Sequence, residues 1–294
     1  MNIQSLSVVV PGKCINACKF CVSKLHEASD EYANQIEDNL RFRRLYKNDL
    51  MKRLQFARDN GCNTLILTGD GEPIVNKTYL NNFTEWNAQI KDPFEWIEVQ
   101  TSGATLDDEK LRWLRDDIGV TTISLSLSSV FDSDKNSEYN GIPKKVQFNI
   151  DALCAEIKRY GFNLRLSLNL TDIYNNLEPL AIFDRCKALG ANQITFRLLY
   201  NVESSVSPEI HDWINEHRCS TDIATRINWH ITNYGRKMER LPFGAIRYSV
   251  DGMSCVLDTD CMSTDSEKDA IRYLILRPNC KLYTLWDDAG SILF

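Results

Sequence analysis

No stretch of this sequence approaches the roughly 18 consecutive apolar residues that a membrane-spanning helix needs, so none is expected. The first ten residues also lack a basic segment followed by a long apolar one, which argues against a secretion signal and predicts a cytoplasmic protein. The low hydrophobicity of a disordered chain is missing too: of 294 residues 43% are hydrophobic, 25% charged and 10% aromatic, enough to bury a sizeable core. Basic charge is in deficit. With 34 Lys and Arg against 40 Asp and Glu the formal net charge is −6, which offers no global attraction to a polyanion and disfavours nucleic acid as a partner. The compact basic runs, Arg41-Phe42-Arg43-Arg44 and Lys52-Arg53, read first as the solvated face of one long helix. Internal repeats, low-complexity runs and an evident linker are absent as well.

Cysteine, by contrast, is plentiful. Ten cysteines in a reducing cytoplasm do not make a disulfide framework, so metal or redox chemistry becomes the question. Seven of them are scattered (Cys62, Cys154, Cys186, Cys219, Cys255, Cys261, Cys280), and each alone reads as a small buried apolar residue. The other three stand in Gly12-Lys13-Cys14-Ile15-Asn16-Ala17-Cys18-Lys19-Phe20-Cys21, a C-x3-C-x2-C run directly after a strand-like segment. Thiolates spaced this closely can converge on one inorganic centre. A closed zinc site would need a fourth ligand, for which His26 is the candidate. The favoured reading is a four-iron, four-sulfur cluster with three protein ligands and one iron left open. Cys255-x5-Cys261-x18-Cys280 offers further thiols for an auxiliary cluster, but its spacing fits no established ligand pattern and strand-packed thiols are the simpler reading.

Read for period and punctuation, the first two thirds alternate strand and helix. Strands are predicted at 3–10, 64–68, 96–101, 121–127, 163–170 and 193–199, and helices at 34–60, 76–89, 106–117, 145–160 and 177–189. Gly61, Gly119, Gly161 and Gly190 stand where helices should end, as C-terminal caps do. Such alternation makes a parallel sheet covered by helices, with ligands at the carboxyl ends of the strands, and that is the face on which the cysteine loop lies. After residue 200 the pattern changes to a helix at 208–217 and strand-rich sequence at 245–257 and 272–294, with turn signals at Asp251-Gly252 and Pro278-Asn279. The expected organisation is an α/β domain over 1–200 and an α+β extension over 201–294 that covers the open face or closes the barrel.

Straight after the second strand comes Thr68-Gly69-Asp70-Gly71-Glu72-Pro73. Alone it is a tight turn. On the same face as the cysteine loop, its backbone, freed of side chains at Gly69 and Gly71, can receive the amino group of a small ligand at the open iron, with Glu72 fixing the turn or accepting from that ammonium. Cys14-x3-Cys18-x2-Cys21 after strand one, aromatic Phe20 before the last cysteine, and a G-x-G-E-P turn after strand two together resemble the radical S-adenosylmethionine superfamily. The resemblance covers residues 1–200 and implies a partial (β/α)6 TIM-type barrel holding a [4Fe-4S] cluster and S-adenosylmethionine. Asp70 stands where that pattern often has a second glycine.

The resemblance further implies cofactor contacts around the barrel mouth. Phe20 would meet the adenine, and Gly69, Asp70, Gly71 and Glu72 would form the turn at the methionyl amino group. Thr101, Ser102, Ser124 and Ser126 would reach the carboxylate or ribose, although Ser124 and Ser126 read equally as small residues filling a barrel layer. Asn169 and Arg197 complete a polar ring, with Leu198 to Tyr200 at the adenine edge. A carboxylate partner is expected for Arg197, which stands in an apolar strand. The implied activity is reductive cleavage of S-adenosylmethionine to a 5′-deoxyadenosyl radical that abstracts hydrogen from a small-molecule, nucleotide or peptide substrate, with electrons from a donor such as flavodoxin or ferredoxin. An RNA-modifying enzyme, an activase of a glycyl-radical enzyme, and a non-catalytic metal or redox-sensing module are the alternatives. The end of the chain, Trp286 to Phe294, is expected to pack near the substrate opening, against the plainer reading that Ile292 to Phe294 finishes an edge strand far from it.

Overall fold

The computed structural model describes residues 2–25, 39–201, 208–241, 245–258, 270–286 and 288–294. In chain order these form β1 (Asn2–Val9), α1 (Asn39–Asp59), β2 (Thr64–Thr68), α2 (Lys77–Asn87), β3 (Trp96–Thr101), α3 (Asp108–Asp116), β4 (Thr122–Leu127), α4 (Ser133–Tyr139), α5 (Ile150–Arg159), β5 (Asn163–Leu170), α6 (Pro179–Ala188) and β6 (Gln193–Leu198). There follow α7 (Pro208–His217), α8 (Thr221–Tyr234), β7 (Arg236–Arg240), β8 (Ile246–Val250), β9 (Met253–Asp258), β10 (Ala270–Leu276) and β11 (Leu282–Tyr283). All six expected strands of the first 200 residues form, within a residue or two of the predicted ends. The four cap glycines adopt the left-handed conformation, with φ between 78° and 84°.

The sheet runs β11-β10-β1-β2-β3-β4-β5-β6-β9-β8-β7. Its central eight strands, β10, β1 to β6 and β9, are mutually parallel; β11 and β8 turn back antiparallel at the two edges, and β7 pairs antiparallel with β8 outside it. The C-terminal extension therefore adds to both edges of the same sheet. The turn signal at Asp251-Gly252 becomes the β8–β9 hairpin, with φ of 49° and 83°.

Strict alternation decides which face does what. In β5, Leu164, Leu166, Leu168 and Leu170 are fully buried on the helix-covered side, while Arg165 turns to the other. β2 does the same, with Leu65 and Leu67 outward and Thr64, Ile66 and Thr68 inward. Apolar burial thus sits between sheet and helices, and the concave side is polar. It encloses a cavity of about 770 Å³ lined from every parallel strand, from Ser5 on β1 round to Asp258 on β9 and Arg272 on β10. Arg272 and Asp258 form an ion pair at 3.1 Å, so the two parallel edges meet through side chains. Polar side chains crossing the barrel leave a space for ligand where an apolar core would have filled it.

The periodicity reading omits two helices. α4, seven residues long, is too short to show a period and rests on Asp132, which caps it by accepting from the backbone of Asp134 and Lys135. α8 carries a readable signal, Ile223, Ile227 and Ile231 on one buried face behind the cap Ser220. Lys52 and Arg53 lie on α1 near Asp49, and the side chains of 41–44 lie outside the described residues.

Candidate functional site

Two loops at the carboxyl ends of β1 and β2 are pressed backbone to backbone. Built on Gly71, a Cβ would sit 2.3 Å from the carbonyl oxygen of Gly12, and on Gly69 it would sit 2.7 Å from that of Val10. Only glycine permits this approach at either position. On its other flank the cysteine loop is held by the turn after α4. Ala17 N–H donates to Gly141 O at 3.0 Å, a Cβ on Gly141 would fall 2.5 Å from Ala17 C, and Cys18 Sγ donates to Asn140 O at 3.0 Å. The loop is clamped between two glycine contacts, and neither neighbour lies near it in sequence.

Within this clamp the three thiols feel one another electrostatically. Burial pushes the Cys18 thiol up to about 12, with Cys21 and Cys14 adding to the rise. Thiols placed so ionise only beside a compensating positive centre, which is what metal ligation supplies. Cys21 Sγ is hydrogen-bonded to Ser23 Oγ at 2.9 Å, and Ser23 donates in turn to the carbonyl of Asp70 at 3.4 Å. Among the described residues no three His, Cys, Asp or Glu side chains converge to hold a single metal ion. His26, the candidate fourth zinc ligand, lies outside them.

The chemistry of the donors fits the cluster and its ligand. Three soft thiolates suit iron–sulfur ligation. Asn16, between the first two cysteines, is buried with neither amide atom hydrogen-bonded. Glu72 is 3% exposed: its Oε2 accepts from Ser102 N–H at 3.0 Å and Ser102 Oγ at 2.8 Å, while Oε1 makes no hydrogen bond. Burial raises the Glu72 carboxyl, against the donors of Ser102, Thr101 and the Ile74 backbone. Buried polar atoms without partners on this scale mark a place that a polar ligand completes.

The remaining predicted residues divide. Thr101, buried, accepts from Gly103 N–H at 3.0 Å, and Ser102 serves Glu72. Ser126 and Asn169 touch at 3.4 Å near the ends of β4 and β5, and Asn169 lies in register with Arg197. Ser124 lies a layer deeper, level with Gln100 and Arg165, where a small residue fills the barrel. Leu198 packs on the core, and Tyr200 is half-buried just beyond β6. The ring of Phe20 stacks on Trp213 of α7 at 5.9 Å, and Trp213 stacks on His217 at 4.3 Å, so α7 roofs the cysteine loop. The carboxylate expected beside Arg197 is not there among the described residues. Asp258, its register partner on β9, is taken by Arg272.

Sequence reasoning missed three charged pairs. Asp70 meets Arg277, just past β10, at 3.2 Å, so the departure from glycine in the turn anchors the C-terminal extension. Burial raises the Asp70 carboxyl and the guanidinium opposes that rise. Glu98 and Arg165 pair across the cavity floor at 2.9 Å, continued by Thr195 at 2.9 Å; the third pair is Asp258 with Arg272. A charge inside an apolar strand, as at Glu98 and Arg165, was the available signal. Of the thiols proposed for an auxiliary cluster, Cys255 faces the helices near Cys186, Cys280 donates to Pro278 O at 3.8 Å, and Cys261 lies outside the described residues. The chain's end splits: Trp286 lines the cavity, whereas Ile292 bridges to Tyr283 and Phe294 packs on Phe56 of α1 at 4.8 Å.

Comparison with known proteins bears on this geometry. A sequence model of the Radical SAM superfamily matches residues 8–177. The fold is similar to that of Streptococcus suis SuiB (TM-score 0.56, 15% identity, 96% of this chain and 60% of that one). It is also similar to native anSMEcpe with bound AdoMet and Cp18Cys peptide (0.53, 12%, 98% and 75%). A third is coproporphyrinogen III oxidase (HemN) from Escherichia coli, a radical SAM enzyme (0.52, 15%, 81% and 55%). The chain spans 44% of SuiB in its S-adenosylmethionine-bound structure, and at these identities the likeness is one of fold. No curated protein matches the sequence.

Proposed function

The chain belongs to the radical S-adenosylmethionine superfamily of enzymes, and we propose that Cys14, Cys18 and Cys21 hold a [4Fe-4S] cluster whose open iron takes S-adenosylmethionine. When bound, this pair supplies one-electron cleavage of the sulfonium to methionine and a 5′-deoxyadenosyl radical, which removes a hydrogen atom from the substrate. The observation that carries the reading is the backbone junction of Gly12 with Gly71, which sets the cysteine loop beside the carbonyls and amides of the Gly69–Glu72 turn. There the buried Glu72 Oε1 and the turn's free backbone receive an ammonium, while Ser102 holds the carboxylate in place. Thr101, Ser126 and Asn169, at the ends of β3, β4 and β5, offer hydrogen bonds around the mouth.

The chain's remaining tasks are to exclude water and to admit an electron. Tyr273 and Trp286, with ring centres 6.3 Å apart, wall one side of the cavity, and α7 covers the cysteine loop through Trp213 and Phe20. Cys14 stays exposed, and Lys13, Lys19 and Lys24 are exposed in the same segment, a local basic rim on a chain of net charge −6. That rim suits an acidic one-electron donor such as flavodoxin or ferredoxin. A cavity of about 770 Å³ holds a small metabolite, a nucleotide or a short peptide segment. No described helix is long and apolar enough to cross a membrane. Anaerobically reconstituted protein, reduced and given S-adenosylmethionine, is expected to release 5′-deoxyadenosine and methionine. Release of S-adenosylhomocysteine alone overturns the reading.

A further inference from the structure

Charged side chains on the cavity wall come with counter-charges. Asp70 faces Arg277 at 3.2 Å, Glu98 faces Arg165 at 2.9 Å, Asp258 faces Arg272 at 3.1 Å, and Arg247 is paired with Glu239. Among the described residues Arg197 is the exception. It lines the same cavity from β6, makes no ion pair, and its Nε is shut off from solvent with nothing to donate to. Neutral Asn169 lies beside it on β5, and Asp258, beside it on β9, already receives two contacts from Arg272 Nη2, at 3.1 and 3.2 Å.

A guanidinium cannot shed its proton in a protein, so a half-buried one without a counter-charge is a standing cost that a bound anion removes. Arg197 lines the cavity and stays half-exposed, so its guanidinium is open there to an oxyanion, the group that arginine binds in carboxylates and phosphates. The position says whose oxyanion. β3, β4 and β5 lie between β2 and β6 in the sheet, so Arg197 stands across the cavity from the cysteine loop and the Gly69–Glu72 turn. Building on the proposed function, which gives that near wall to the cofactor's amino group, we infer that Arg197 is the anchor for a carboxylate or phosphate of the substrate. This moves Arg197 out of the cofactor's polar ring and makes the substrate anionic.

The test is direct anion binding to the reconstituted protein, read from the line widths of the phosphorus signal of inorganic phosphate and the carboxyl carbon signal of acetate, with and without saturating S-adenosylmethionine. Wild type is expected to broaden at least one signal, to keep doing so with the cofactor bound, and to lose affinity about tenfold or more in Arg197→Gln. Arg197→Lys, which keeps the charge and loses the fork, is expected to fall between the two, and it serves alone if the glutamine variant does not fold. No broadening in wild type overturns the inference. So does unchanged broadening in either variant, which places the anion on the iron or elsewhere, and so does its disappearance on saturation with the cofactor, which gives Arg197 to the cofactor's own carboxylate. Iron content and 5′-deoxyadenosine release are measured separately, so a failure of the proposed function is seen apart from a failure at Arg197.

Discussion

Adding one methyl group at Gly71 tests the junction on which the site depends. In Gly71→Ala the new Cβ would lie 2.3 Å from Gly12 O, 2.9 Å from Gly12 C and 3.0 Å from Lys13 C. Carbon needs about 3.5 Å from such atoms, so the two backbones must part by roughly 1 Å. None of the atoms met belongs to a flexible side chain, so nothing yields by rotation. Overpacking of this kind costs about 1–3 kcal/mol, and here the strain is relieved by moving the turn away from the loop that begins two residues before Cys14. A binding constellation tolerates displacements of only about 0.5 Å. The expected result is a loss of at least tenfold in S-adenosylmethionine affinity, equivalent to about 1.4 kcal/mol, measured by equilibrium dialysis on protein of matched iron content. Gly119→Ala is the comparison. Its φ of +78° strains an alanine by about 1–2 kcal/mol, but no atom lies within 4 Å and it sits at a helix end, so urea unfolding should shift while cofactor affinity holds. If Gly71→Ala binds the cofactor as wild type does, the loop junction does not build the site and the reasoning fails.

Cys14→Ala, Cys18→Ala and Cys21→Ala are each expected to lose most of the roughly four irons per chain held by the reconstituted wild type, whereas Cys255→Ala and Cys280→Ala should keep them; iron analysis decides. Asp70→Asn removes the counter-charge of Arg277, which is 1% exposed, and should cost roughly 3 kcal/mol in urea unfolding, with Arg277→Met in the same chain recovering part of it. His230 is buried and stacked on Phe183 at 4.7 Å, and burial holds its pKa below the ordinary value against the pull of Asp251 and Asp184. The neutral ring therefore belongs to the fold. Its contribution is intact above about pH 6.5, where both states are unprotonated, and is lost as pH falls from there through the lowered folded pKa, because the unfolded chain takes up the proton first. His230→Leu should flatten that part of the stability–pH curve, and an unchanged slope refutes the assignment.

What could be read in the sequence is what local rules determine. Alternating leucines mark β5, glycine marks the helix ends, and the spacing of Cys14, Cys18 and Cys21 marks one centre, each without reference to distant residues. What could not be read depends on pairing across long separations. β10 lies parallel beside β1 and β9 beside β6, and nothing in either segment says which edge it joins. The ring of Phe20 has an aromatic partner in Trp213, about 190 residues on, which no motif encodes. The expected carboxylate beside Arg197 follows from a sound rule about buried charge, yet the rule cannot say that Asp258 is already engaged by Arg272. α8 is a different kind of miss, since its Ile223, Ile227 and Ile231 spacing was legible.

The parallel placement of β10 has one consequence that ties the extension to the chemistry. Because β10 runs beside β1 in the same direction, its end delivers Arg277 to the face where the loops after β1 and β2 emerge, 207 residues from Asp70 in sequence and 3.2 Å from it in space. The same guanidinium donates to the carbonyl of Trp286 at 2.7 Å and lies 5.5 Å from its ring. Arg277 therefore fixes the indole that walls the cavity to the turn assigned to the cofactor. Had Asp70 been glycine, the turn would have kept its shape but offered no counter-charge, and a buried arginine at the end of β10 would have been costly to keep. The departure of the turn from its usual form and the arginine just past an apolar strand are two halves of one interaction, and the indole of Trp286 at the cavity wall inherits its position from it.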